Sequence, residues 1–322
     1  MKEIREPIEV ELLTSLNENG LDDFFICCSS FEERCVSSVS KLASDFRTKF
    51  SVIFVIEEPL YEEEVRENLR KLQFELSKRT TERVFTISCQ RQIPMDGINQ
   101  FKEIWKQIGH FIVSESLYIT IDISGLTKIY LLELLHYLVV GLHLNIPRII
   151  HTTQAYTANK LTKGVDEVTT MPSFFGEPSS GKETLLILFL GFEPERALTV
   201  WEHFYPLKTI ALLTKPPRNG NLNYLEYAQN NNSYLLSRPS VEVGDVLPDN
   251  AYEVKKVLDT IFTEAGDLFN IVIGPFGTKS QTVGVFLFWL DHREVQIVYS
   301  FPVNYTKSYL RRKPGRTLLI TH

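Results

Sequence analysis

The feature that most constrains this chain is a regular alternation of short, β-rich apolar runs with segments of helix length. Segments 23–28 (DFFICC), 51–57 (SVIFVIE), 83–88, 117–123 (LYITIDI) and 147–152 read as strands. Segments 32–46, 61–78, 98–110 and 127–143 between them read as helices. Strands and helices in this order imply right-handed crossovers and a parallel sheet. Residues 161–183 break the pattern. The run from Pro172 to Lys182 is rich in Pro, Gly and Ser and reads as a linker. The alternation then restarts, with strands at 184–190, 209–214, 269–273 and 295–300. Helices are expected at 193–204, 250–265 and 280–290, a less regular one after 221, and an edge strand at 317–320. The expected fold class is therefore α/β, in two tandem units with mainly parallel sheets: unit one at 1–160, a linker at 161–183, and unit two at 184–322. A chain of 322 residues suits two domains of roughly 150 residues each.

Composition excludes several function classes. With 34 basic and 40 acidic residues the net charge is −6, which argues against general duplex DNA binding. The four cysteines, Cys27, Cys28, Cys35 and Cys89, form no CxxC pair, and three crowd into one segment. They read as buried free thiols of a reducing, cytoplasmic protein. The N-terminus, MKEIRE, has no apolar core and does not read as a signal peptide. The apolar stretch 130–144 is interrupted by Glu133, His136 and His143 and is too short and polar to cross a bilayer. The seven histidines show no metal-ligand spacing, so neither metal nor cofactor is expected. His151, at the end of the fifth strand, is the histidine nearest the strand ends discussed below. Residues 176–183 (GEPSSGKE) imitate a P-loop, but Glu183 stands where a hydroxyl should hold magnesium, and the run precedes a strand.

Three pairs of segments correspond between the halves, in the same order. The first strand ends in Ser29-Ser30-Phe31-Glu32-Glu33-Arg34 in one half and in Gly191-Phe192-Glu193-Pro194-Glu195-Arg196 in the other. The fourth ends in Asp122-Ile123-Ser124-Gly125-Leu126-Thr127-Lys128 and in Gly274-Pro275-Phe276-Gly277-Thr278-Lys279-Ser280. After the fifth come Tyr156-Thr157-Ala158-Asn159-Lys160-Leu161 and Tyr305-Thr306-Lys307-Ser308-Tyr309-Leu310. Each pair falls at a strand's carboxyl end, which points to internal duplication; the alternative is two unrelated α/β domains that share generic turn chemistry.

Those ends are where open parallel sheets bind ligands. Glycine lets backbone amides approach a ligand, and a helix N-terminus suits phosphate. Thr127 and Thr278 add a hydroxyl, Lys128 and Lys279 a mobile cation, and Arg34 and Arg196 a guanidinium fork. Each feature has a plainer reading. The threonines can cap helices with the lysines solvated, and the arginines can pair with Glu32, Glu33 or Glu195. Asp122 follows an apolar run, so its carboxylate needs a partner: Lys128, a ligand hydroxyl or a metal. The C-terminal cluster Lys307, Arg311, Arg312, Lys313 and Arg316, interleaved with Tyr305 and Tyr309, suits a phosphate chain or a solvated tail.

These turns resemble those of the CARF domains, Rossmann-like nucleotide sensors of prokaryotic antiphage defence. Two such units in one chain resemble the SAVED arrangement. The resemblance rests on Ser29 and Ser30 with Ser124, Gly125, Thr127 and Lys128, and on Gly191 with Gly277, Thr278, Lys279 and Ser280. Glu32, Arg34, Glu193, Arg196 and Gly274 complete the candidate ligand-binding set. The Phe-Glu-(Pro)-Glu-Arg turns depart from the family pattern. The resemblance implies a binding protein for a nucleotide, possibly a cyclic oligonucleotide, acting with a separate effector protein and without a membrane. A second reading is a phosphodiester-cleaving enzyme of ring-nuclease type using Lys128, Thr127 and Asp122. A third is a protein-interaction subunit whose turns are only caps.

Overall fold

The computed structural model describes residues 6–90, 93–109, 117–154, 162–216, 223–306 and 313–321. They form two compact units: Pro7–Ala155 with Leu310–His322, and Tyr156–Tyr309 with Met1–Glu6. Each unit is α/β, and each sheet is mixed but mostly parallel.

The first sheet has seven strands. In chain order they begin with β1 (Ile8–Glu9), β2 (Leu21–Ser29), β3 (Arg47–Glu57), β4 (Thr80–Gln90), β5 (Ile119–Asp122) and β6 (Arg148–Gln154). The last strand, Pro314–Thr321, comes from the end of the chain. β4, β3, β2, β5 and β6 lie side by side and parallel. The C-terminal strand runs antiparallel to β6, and β1 antiparallel to it in turn. Adjacent Phe24 and Phe25 show why β2 is central. Phe25 meets Phe46 on the face covered by α1 (Glu62–Ser77), while Phe24 stacks on Trp105 of α2 (Pro94–Ile108) on the other. Alternate side chains point to opposite faces, so a strand apolar at every position needs helices on both. α3 (Lys128–His136) joins α2, where Phe54 packs on Phe101 and Tyr130.

The second sheet has six strands. They are β7 (Thr162–Thr170), β8 (Glu183–Leu190), β9 (Lys208–Thr214), β10 (Val241–Val246), β11 (Phe269–Pro275) and β12 (Gln296–Tyr305). β10, β9, β8, β11 and β12 are parallel, and β7 closes the series antiparallel to β12. The helices are α4 (Pro194–Phe204), α5 (Asn223–Asn231), α6 (Ser233–Leu236), α7 (Ala251–Ala265) and α8 (Lys279–Trp289). Leu186, Leu188 and Leu190 of β8 face Ala197 and Val200 of α4 and Leu235 of α6. The C-terminal strand Pro314–Thr321 is β13.

Numbering the parallel strands one to five in each unit gives the order 3-2-1-4-5 in both, with an antiparallel strand beyond the fifth. The connections of such a sheet reverse direction between strands one and four, here β2/β5 and β8/β11.

Three expectations change. Residues 162–170 form β7 where composition reads as linker. The expected helix over 32–46 is two short 3-10 turns, Glu33–Val36 and Val39–Lys41. Serines there bond locally instead of leaving the backbone to a helix: Ser40 Oγ donates to the Ser37 carbonyl at 2.7 Å. The edge strand expected at 317–320 is present, but its partner is β6 of the first unit.

Candidate functional site

At the carboxyl end of the first sheet, buried polar groups gather around the β2/β5 switch. Asp122, the last residue of β5, is 1% exposed. Its carboxylate accepts from Ser38 Oγ, from Ser124 Oγ at 2.5 Å and from the Ser124 amide at 2.8 Å. Ser124 Oγ in turn accepts from the Thr152 amide at 2.7 Å, and the Thr152 and Thr317 hydroxyls bond at 2.9 Å. This chain runs from the turn before α3, through β6, to β13. The partners expected for Asp122 were Lys128, a ligand hydroxyl or a metal; the hydrogen bonds from Ser38 and Ser124 were not anticipated. Ser38, Thr152 and Thr317 carried no motif, and only the fold brings them together.

The turn after β2 is tied inward. Ser29 Oγ donates to the Val65 carbonyl at 2.9 Å, and the Ser30 carbonyl accepts from Asn68 Nδ2 at 2.9 Å. Glu32 and Arg34 form a buried ion pair at 2.7 Å. Gly125 is required by packing, since a Cβ there would lie 2.3 Å from the Cys28 carbonyl oxygen. His151 is buried within β6, opposite Leu318 of β13. The cysteines are buried free thiols, and burial pushes Cys35 and Cys89 up to about 12.

The second unit repeats the Glu–Arg pairing with different detail. Arg196 pairs with Glu193 at 3.1 Å and donates through Nε and Nη2 to the Ser300 carbonyl at 2.9 and 2.6 Å. Its guanidinium lies between the Phe276 and Tyr299 rings. Glu195 instead accepts from the Gly164 amide at 3.0 Å. Arg34 thus pairs within its own turn, as the salt-bridge reading anticipates, whereas Arg196 takes Glu193 in place of the expected Glu195 and is also held by Ser300 of β12. Gly191 presents its carbonyl to Asn232 Nδ2 at 3.0 Å, and Gly274 packs on Phe276 and Leu188.

The two helix-opening threonines differ. Thr278 is the N-cap of α8 within a complete capping box. Its Oγ1 accepts from the Gln281 amide at 3.1 Å and donates to the Pro248 carbonyl, while Gln281 Oε1 accepts from the Thr278 amide at 2.8 Å. The Gln281 carboxamide also fills the space beside Gly277, where a Cβ would lie 1.9 Å from Oε1. Ser280 is fully buried behind it, and Lys279 is half-buried. Thr127 is the N-cap of α3 but makes no capping bond. Its Oγ1 is shielded from water and has no hydrogen-bond partner among the described residues. The third position of α3 is Tyr130, which cannot close the box as Gln281 does. Lys128, half-buried, opens α3.

Residues 156–161, 307–312 and 322 lie outside the described residues, so the third repeated pair and most of the basic C-terminal cluster are not placed. Among the described residues no cluster of His, Cys, Asp and Glu could hold a metal, and no helix is long and apolar enough to cross a membrane. No family model and no curated protein matches the chain.

Proposed function

We propose that this chain is a nucleotide-binding sensor of the tandem CARF or SAVED-like kind, serving a prokaryotic defence system through a separate effector. Its two units are then duplicated Rossmann-like domains, a reading supported by their common strand order. The first unit takes a ligand phosphate at the Ser124–Lys128 turn; a cyclic oligonucleotide is the ligand class the resemblance implies. The observation that carries this reading is the unengaged hydroxyl of Thr127 at the start of α3, beside Lys128, at a sheet switch point. A hydroxyl donor, a cation and helix amides together suit phosphate. The capping box of α8 closes the corresponding turn of the second unit, so the two turns are unequal partners in binding. Cleavage is less well supported, because Asp122 is committed to Ser38 and Ser124.

The test is a thermal-shift screen of mononucleotides, linear dinucleotides and cyclic oligonucleotides, with Lys128→Ala and Lys279→Ala variants and mass spectrometry of the hits. A ligand at 100 times its Kd stabilises by about 2.7 kcal/mol. The expected result is a shift lost in Lys128→Ala and retained in Lys279→Ala, with ligand mass unchanged. An altered mass would establish the cleavage reading instead. No shift with any nucleotide would overturn the sensor and leave a protein-interaction subunit.

A further inference from the structure

A second surface lies at the opposite, amino-terminal end of the strands in the second unit. Arg238 follows α6 and precedes β10, and its backbone carbonyl accepts from the Val241 amide where that strand begins. Its guanidinium lies 4.1 Å from the Tyr234 ring centroid and 5.8 Å from that of Trp201. Among the described residues it has no carboxylate, hydroxyl or carbonyl partner. Its Nε–H and the Trp201 Nε1–H are both shielded from water without an acceptor.

Exposed large hydrophobic residues stand in the neighbouring segments. Tyr205, one turn beyond Trp201, is 88% exposed and holds a left-handed backbone, with φ 44° and ψ 52°. Tyrosine has no intrinsic preference for that region, so the fold holds an exposed ring at some conformational cost. Leu207 and Tyr234 are 59% and 56% exposed. Trp, Tyr and Arg are the residue types that dominate binding energy at protein interfaces.

We propose that Trp201, Tyr205, Leu207, Tyr234 and Arg238 form a docking surface for an acidic, aromatic-bearing segment of a partner protein. The carboxylate of that segment pairs with the Arg238 guanidinium, and its apolar side chains cover Tyr205, Leu207 and Tyr234. Charge complementarity selects this occupant. The neighbouring cation, Lys208, is already paired with Glu242 at 2.9 Å, so one guanidinium is on offer. A single-stranded nucleic acid uses several cations along its backbone and is the poorer fit. The surface lies at the end of its own sheet opposite the Thr278–Lys279 turn and does not rest on the nucleotide reading.

The test uses the full chain and the synthetic peptide acetyl-Asp-Phe-Asp-Leu-Asp-amide. Of the three tryptophans, Trp105 stacks on Phe24 and Trp289 is buried, so Trp201 reports binding through its emission. The peptide should change that emission and bind by calorimetry, and the same peptide with Lys for Asp should not. Arg238→Ala and the length-matched Arg238→Gln should each weaken binding at least tenfold with near-ultraviolet circular dichroism unchanged. Equal binding of the lysine peptide, full binding by either variant, or no binding at millimolar peptide would overturn the proposal. Tighter binding of oligouridylate than of the acidic peptide would overturn it in favour of nucleic acid.

Discussion

Thr127 and Thr278 stand in the same place relative to their helices, yet only Thr278 has its hydroxyl engaged. This difference fixes opposite signs for one substitution. Thr278→Val removes the acceptor of the Gln281 amide and the donor to Pro248, and should destabilise by about 0.5–2 kcal/mol. Thr127→Val removes a hydroxyl with no partner to lose, so stability should be unchanged or rise by up to about 1–3 kcal/mol. Urea denaturation of the ligand-free protein measures both. A clear loss of stability in Thr127→Val would show that the hydroxyl has a structural partner, and the phosphate reading would lose its main support. The likeness of the two turns was legible because both share Gly, Thr and Lys. Their inequality depends on the residue three places beyond the threonine, Tyr130 or Gln281, and on which of these reaches back to the turn.

At the scale of elements, the buried pair at the amino ends of β2 and β6 sets a pH dependence. Asp22 accepts from the Leu16 and Asn17 amides at 2.7 and 3.0 Å and faces Arg148 Nη2 at 3.4 Å. Arg148 also donates to Thr120 Oγ1 at 2.9 Å and to the Thr14 carbonyl at 2.8 Å, fastening the chain before β2 to the sheet. Burial raises Asp22 above the usual carboxylate range, outweighing the amides and Arg148, and burial lowers Arg148 to about 10. A carboxyl raised on folding binds its proton more tightly in the native state. Its contribution is therefore most favourable below the ordinary carboxylate value and declines as pH rises through the raised one. Asp22→Asn removes that titration, so the stability of the variant relative to wild type should climb as pH rises from the ordinary carboxylate value through the raised one. Urea denaturation across that range checks it, and a flat or falling difference would refute it. The elements themselves were largely readable. Apolar runs such as 23–28 and 184–190 lie within strands, and the amphipathic stretch 61–78 is α1. β10 was missed because Glu242, Gly244 and Asp245 interrupt its apolar pattern at a sheet edge. β7 was missed for the same reason, as its polar residues need only one strand neighbour.

For the whole molecule, the sequence division fails where the chain crosses between units. After β6 the chain enters β7, which pairs with β12 of the second sheet; after β12 it enters β13, which pairs with β6 of the first. Each sheet thus takes its antiparallel strand from chain that has just left the other. No local pattern encodes this, because a strand's propensity does not name its partner. The consequence is asymmetric. Residues 162–306 contain all six strands of the second sheet, whereas residues 7–154 lack β13. Without β13, β1 also loses its one pairing among the described residues, and two of seven strands are gone. β6 would become a bare edge carrying Ile149 and Ile150, both buried in the intact unit. An open edge of that kind templates aggregation. Expressed separately, 162–306 should be soluble and unfold cooperatively, and 7–154 should aggregate. Joining 313–321 to 7–154 through a short Gly-Ser linker should restore a cooperative transition by circular dichroism. A soluble, cooperatively folded 7–154 would show that β13 is dispensable and that the first unit is complete without the end of the chain.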